Sequence, residues 1–183
     1  MPRALSCSCG AMRWHVDDRA GGTHVACYCA DCQTFANHLG KPDYLTNGGT
    51  EIFQTLPANI AIDAGMEHLA LLRLSPNGLL RWYAGCCGTP LATTLPRASL
   101  PFVGVILPPG APGFGPVTAH LNTAAAHSPQ RQSGAMGAVF AILGRTLAAY
   151  LTGRRGSLFF DDGHPVRDPL VLTLDERNAA RPR

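Results

Sequence analysis

Cys27-Tyr28-Cys29-Ala30-Asp31-Cys32 places three sulfurs within six residues, at the end of the apolar run Thr23–Tyr28. In a strand that breaks into a turn, Cys27 and Cys29 share a face by the period of two, and Cys32 returns after the turn as in any C-x-x-C knuckle. Three thiolates at Zn–S distances of about 2.3 Å fit three corners of a tetrahedron, and no local cysteine offers the fourth. Three protein ligands with an open position is the arrangement expected of a catalytic rather than a structural zinc. Thiols packed this densely without metal would oxidise, or repel once ionised. An iron–sulfur cluster is the weaker reading, because it normally takes four cysteines.

Outward from that segment, Cys7-Ser8-Cys9-Gly10 forms a second knuckle, with Gly10 free to take a positive φ. Its partner is Cys86-Cys87-Gly88, at a tight turn after an apolar strand. Together they offer four sulfurs for a closed structural zinc tying the N-terminal strand to the strand at residues 79–83. Neighbouring side chains on an extended chain point to opposite faces, so Cys86 and Cys87 share a metal only if the loop turns sharply. Three sulfurs plus another group, or loss of the site, are the open alternatives. The total of seven cysteines is odd and clustered, a poor disulfide framework. With no signal-peptide pattern at MPRALSCSCG and no N-x-S/T acceptor, a reducing cytoplasm is the expected location.

The remaining sequence supplies a β scaffold. Apolar and β-branched runs fall at Ala11–Val16, Thr23–Tyr28, Glu51–Leu56, Asn59–Asp63, His68–Leu74, Leu79–Tyr83, Thr89–Leu95 and Phe102–Leu107. Pro76-Asn77-Gly78 predicts an antiparallel hairpin from the runs on either side, and a turn or two of helix can follow Cys32. Gly 20 and Pro 15 favour short strands and turns. Pro108–Pro116 reads as a loop. Ser133–Thr152 reads as a helix with a serine start and Gly153 as its stop. It is apolar on nearly every face, which predicts burial against the sheet or a second subunit. Residues after Asp175 read as a frayed tail.

At 183 residues, 46% hydrophobic and 15% charged, the chain can bury its own core. The expectation is a mainly β, small α+β protein: a zinc-binding β domain over residues 1–117 and an extension over 118–183 carrying the helix at about 133–152. A net charge of +3 does not indicate nucleic-acid or anionic-membrane binding. Nor does the basic content near Cys32, where Lys41 is the only lysine or arginine between residues 20 and 72. The longest uncharged apolar stretch, Gly134–Gly144, is ended by Arg145 and is short for a bilayer span, so a soluble protein is expected.

Several pieces combine into one pattern: Cys7-Ser8-Cys9-Gly10, Cys27 to Cys32, Gly49-Thr50-Glu51-Ile52-Phe53, and Arg81-Trp82-Tyr83 leading into Cys87-Gly88-Thr89-Pro90-Leu91. Over roughly residues 5 to 107 this resembles the glutathione-dependent formaldehyde-activating enzyme family, which includes centromere protein V. The resemblance implies an Mss4-like fold of folded antiparallel sheets, with one structural and one catalytic zinc. It also implies carbon–sulfur lyase chemistry on the adduct of a thiol such as glutathione with a small aldehyde. One departure stands out: the family's earlier ligand in the last knuckle aligns with Ala84, and Cys86 sits two residues late.

The other reading is a non-enzymatic zinc-stabilised module, in which the helix docks a partner or forms a homodimer. The two differ at the zinc held by Cys27, Cys29 and Cys32, which an enzyme leaves reachable and a module caps. His38 and His24 are the candidates to close it, and each is otherwise an exposed residue or one that only supports a ligand. Asp31 is either a turn former or a hydrogen-bond partner for bound water. Trp14, Trp82 and Tyr83 read as core. Arg73 and Arg81 are expected on one face of the hairpin, where they could bind an anion. Arg131, Arg145, Arg154 and Arg155 form a loose basic set. No phosphate loop, nucleophile elbow or H-E-x-x-H is present.

Overall fold

A computed structural model describes residues 1–182. Turn residues cut the first part of the chain into short strands: β1 (Arg3–Ser6), β2 (Arg13–Val16) and β3 (Thr23–Cys27). Helix α1 (Ala30–His38) follows, then β4 (Leu45–Thr46), β5 (Gly49–Thr55), β6 (Ile60–Ala64) and β7 (Leu69–Arg73). Next come β8 (Leu80–Ala84), β9 (Thr89–Thr94), β10 (Val103–Leu107) and β11 (Ala119–Leu121). The chain ends with α2 (Ala135–Thr152), β12 (Phe160–Asp161), β13 (His164–Pro165), β14 (Leu170–Val171) and α3 (Leu174–Ala180). Among the described residues the protein is mainly β with three α-helices, one of them at the C-terminal end: a small α+β fold.

The large sheet has the order β11-β3-β5-β10-β9-β8-β7-β14, with β4 paired to β5. Its inner pairs are antiparallel, whereas β11 and β14 run parallel to β3 and β7 and form its two edges. β9 and β10 are buried along their whole length, as central strands covered on both faces should be. A second antiparallel sheet, β1-β2-β6, packs over the first through Trp14, Val16 and Ile60. Trp82 sits at the centre of this core, its indole N–H donating to Thr94 Oγ1 at 3.0 Å, with Phe159 of the extension 4.9 Å from its ring.

The hairpin across Pro76-Asn77-Gly78 forms as β7 and β8, with Leu72 opposite Arg81. That register corrects the pairing of Arg73 with Arg81: Arg73, one residue on, faces the other side and donates to the Pro76 carbonyl. Three features of the extension also differ from the sequence reading. Gly134, not Ser133, caps α2, at φ +70°, where a Cβ would lie 2.5 Å from the Thr118 carbonyl. Most apolar side chains of α2 face outward. Only Ala138 and Ala149 are buried, while Met136, Phe140, Leu143, Leu147 and Leu151 are exposed. By length and composition α2 could cross a membrane; here it lies along the sheet, with Arg145 Nη1 donating to Thr23 Oγ1 at 3.0 Å. Finally, the tail after Asp175 is helical because Thr173 and Glu176 form a capping box.

Candidate metal centres

β3 ends at Cys27, and Cys29 becomes the N-cap of α1. The Cys29 sulfur accepts the Cys32 backbone N–H at 3.4 Å, in the position a serine oxygen usually takes. Strand end and first helical turn thus bring Cys27, Cys29 and Cys32 together, with their sulfurs within 4.8 Å of one another. The helix N-terminus adds a partial positive charge that favours thiolate. The thiols share charge unevenly. Contacts from Cys29 and then Cys32 hold Cys27 well below the ordinary thiol value despite burial, and those same contacts push Cys29 and Cys32 up. A soft divalent cation removes that conflict by making all three ligands anionic, so the donor set fits zinc.

No fourth cysteine, histidine or carboxylate joins this group among the described residues. His38 lies at the far end of α1, about 13 Å along the axis from its N-terminus. His24 is held elsewhere, its Nδ1 2.8 Å from the Gly115 carbonyl. Its Nε2 lies 3.1 Å from Glu51, close enough for charge attraction though not aligned as a hydrogen bond. What stands beside the three sulfurs is a cavity of about 270 Å³. Val25, Ile52, Leu79, Phe102 and Leu121 supply its apolar wall, and Asp31, Gln54, Arg81 and Asn122 most of its polar one. Asn122 Nδ2 donates to Cys27 Sγ at 3.4 Å. Arg81 is 3% exposed, its guanidinium 4.0 Å from Asp31 and stacked 5.3 Å over the Phe35 ring.

Cys7, Cys9, Cys86 and Cys87 form the second group, again with all sulfurs within 4.8 Å. The closest sulfurs are 3.3 Å (Cys9–Cys86), 3.5 Å (Cys7–Cys9), 3.8 Å (Cys7–Cys86) and 3.9 Å (Cys86–Cys87) apart. A zinc tetrahedron with 2.3 Å bonds spaces its sulfurs about 3.8 Å apart, so this set fits a closed site. The sharp turn that adjacent cysteines require is present. The Cys87 and Gly88 N–H groups both return to the Ala84 carbonyl, at 3.2 and 2.8 Å, and Gly88 takes φ +72°. Ala84 itself is buried in β8 opposite Leu69 and Thr89, and Cys86 stands with the other three sulfurs. The two knuckles are locked further by Ser8 N–H donating to Thr89 Oγ1 at 3.0 Å. The group links the β1–β2 turn to the β8–β9 turn, and so joins the two sheets.

Gln54 and Asn122 were not singled out by sequence reasoning. Asn122 left one local hint, a left-handed backbone (φ +55°) that asparagine tolerates better than most residues. Its arrival at Cys27 depends on β11 pairing with β3, which no local pattern encodes. The basic set is not a loose one either: Arg145 reaches Thr23, and Arg154 donates to Asn59 Oδ1 at 3.1 Å.

No curated protein matches the chain. Among solved structures it is similar to the crystal structure of a Rhodobacter sphaeroides protein, a Northeast Structural Genomics target. The identity is 20%, over 60% of this chain and 91% of that one, with a TM-score of 0.42. A family of unknown function, DUF6151, matches residues 2–109, a segment that holds all seven cysteines and stops short of β11, and the chain belongs to that family.

Proposed function

We propose that the protein is a zinc-dependent carbon–sulfur lyase-like enzyme acting on the adduct of a thiol, of the glutathione type, with a small aldehyde. The observation that carries this reading is a three-cysteine group with no fourth protein ligand among the described residues, opening on a cavity. The motif resemblance to the glutathione-dependent formaldehyde-activating family points the same way. Cys27, Cys29 and Cys32 would hold the catalytic zinc, and Cys7, Cys9, Cys86 and Cys87 a structural one. Held by these three thiolates, which would offset most of its charge, a zinc would supply thiol activation by lowering the pKa of an incoming thiol rather than carbonyl polarisation.

The residues of the chain do the rest. In the addition, the thiol sulfur bonds to the aldehyde carbon, the C=O π pair moves to oxygen, and the proton lost from sulfur ends on that oxygen; no oxidant is needed. Asp31 is the one carboxylate on the cavity wall and can carry that proton. The Asn122 N–H draws charge from Cys27, and the apolar wall limits competing water. A reducing, cytoplasmic location suits seven free thiols.

The second reading, a zinc-stabilised binding or dimerisation module, draws support from the exposed apolar stripe of α2. Metal analysis and turnover separate the two. Wild-type protein is expected to carry two zincs per chain, and Cys29→Ser, which keeps an N-cap acceptor, one, with unchanged far-UV circular dichroism. Wild type should accelerate adduct formation from glutathione and formaldehyde, and Cys29→Ser should not. Two zincs without turnover anywhere between about pH 6 and 9 would favour the module.

A further inference from the structure

The cavity beside Cys27, Cys29 and Cys32 holds a nearly buried cation with no protein partner at hydrogen-bond distance. The Arg81 side chain is 4% exposed, yet its ion-pair partner Asp31 is 4.0 Å away, beyond hydrogen-bond reach, and half in solvent. No protein group among the described residues accepts a hydrogen bond from its guanidinium, whose nitrogens keep a trace of exposure on the cavity side. The guanidinium carbon lies over the Phe35 ring, 5.3 Å from its centroid. Gln54, 8% exposed on the same cavity, has its Oε1 buried without a partner. Buried polar groups are almost always satisfied, and an arginine fork left open in an apolar cavity is costly. A planar donor with no close acceptor and a buried acceptor with no partner therefore face one space walled by three thiols.

We infer that Arg81 is the anion-recognising residue of this cavity, and that the ligand is a compact thiol bearing a carboxylate. The carboxylate takes the Arg81 fork in bidentate fashion, and an N–H or O–H of the ligand meets Gln54 Oε1. A thiol without a carboxylate leaves the Arg81 guanidinium unpaired and is selected against. This reading rests on the proposed thiol site and names its substrate class. Cysteine and glutathione both carry the required chemistry.

The test is calorimetric titration of the zinc-loaded full chain with three probes. 3-Mercaptopropionate presents thiol and carboxylate, its methyl ester the thiol alone, and 3-(methylthio)propionate the carboxylate alone. The acid should bind roughly ten- to a hundred-fold more tightly than the ester. That preference should vanish in Arg81→Met and return only in part in Arg81→Lys, whose point charge lacks the fork. The ester comparison in wild type needs no variant, so misfolding of Arg81→Met cannot obscure it. Equal binding of acid and ester to wild type would overturn the assignment while leaving the thiol site standing. Should neither thiol bind while 3-(methylthio)propionate binds wild type and not Arg81→Met, the anion site stands and the thiol reading falls. With cysteine and glutathione as further probes, the one whose affinity drops in Arg81→Met supports the assignment and identifies the source; no drop in either contradicts it.

Discussion

Gly88 shows how much of the closed site depends on one backbone position. It sits at φ +72°, and a Cβ there would lie 2.7 Å from the Leu39 carbonyl, which α1 cannot easily move. Gly88→Ala is expected to cost about 1–3 kcal/mol from strain alone. It should also loosen the turn that brings Cys86 beside Cys87. Urea unfolding should show the loss, and zinc content should fall towards one per chain. The cysteines were legible in the sequence because each knuckle is local: two or three sulfurs with a glycine (Gly10, Gly88) or a helix start that turns the chain. Gln54 was not, because it differs from any other strand glutamine only in which strand lies beside it.

The three helices show where local patterns suffice and where they mislead. In α3 the capping box is written in the sequence as Thr173-x-x-Glu176, yet the charge of the tail argued for fraying. Glu176 accepts the Thr173 N–H and hydroxyl, both at 2.8 Å. These bonds hold its carboxyl below the ordinary 4.5. A lowered folded value means the bonded form is favoured above the unfolded value and is lost as pH falls through the folded one. The protection factors of amides 175–177 should therefore hold above about pH 4.5 and fall in acid. Thr173→Ala should remove this dependence and about 1 kcal/mol of local helix stability. The start of α2 at Gly134 rests on contact with Thr118, a long-range fact with no sequence signature. The apolar run there reads as a buried helix, but of its side chains only Ala138 and Ala149 are buried. The strands of the main sheet were legible from period and turn residues. The parallel pairing of β11 and β14 was not, since each is only two or three residues long.

At the scale of the whole molecule, the two cysteine groups have different mechanical duties. The group of four joins the β1–β2 turn to the β8–β9 turn across the two sheets, whereas the group of three joins β3 to the helix that follows it directly. Cys86→Ala should thus lower the melting temperature by about 10 °C, a loss of order 3–5 kcal/mol, and Cys29→Ser by much less. Chelation of wild-type protein should reproduce the larger drop, read by scanning calorimetry. The order in which the big sheet is completed carries a cost of its own. Its flanking strands come from residues 119–121 and 170–171, so a ribosome delivers the whole interior of the sheet before either margin. Until then β3 and β7 present naked amides and carbonyls to solvent, open to pairing with other nascent chains. Synthesis stalled before residue 170 should yield aggregates that a chaperone, rather than added metal, relieves.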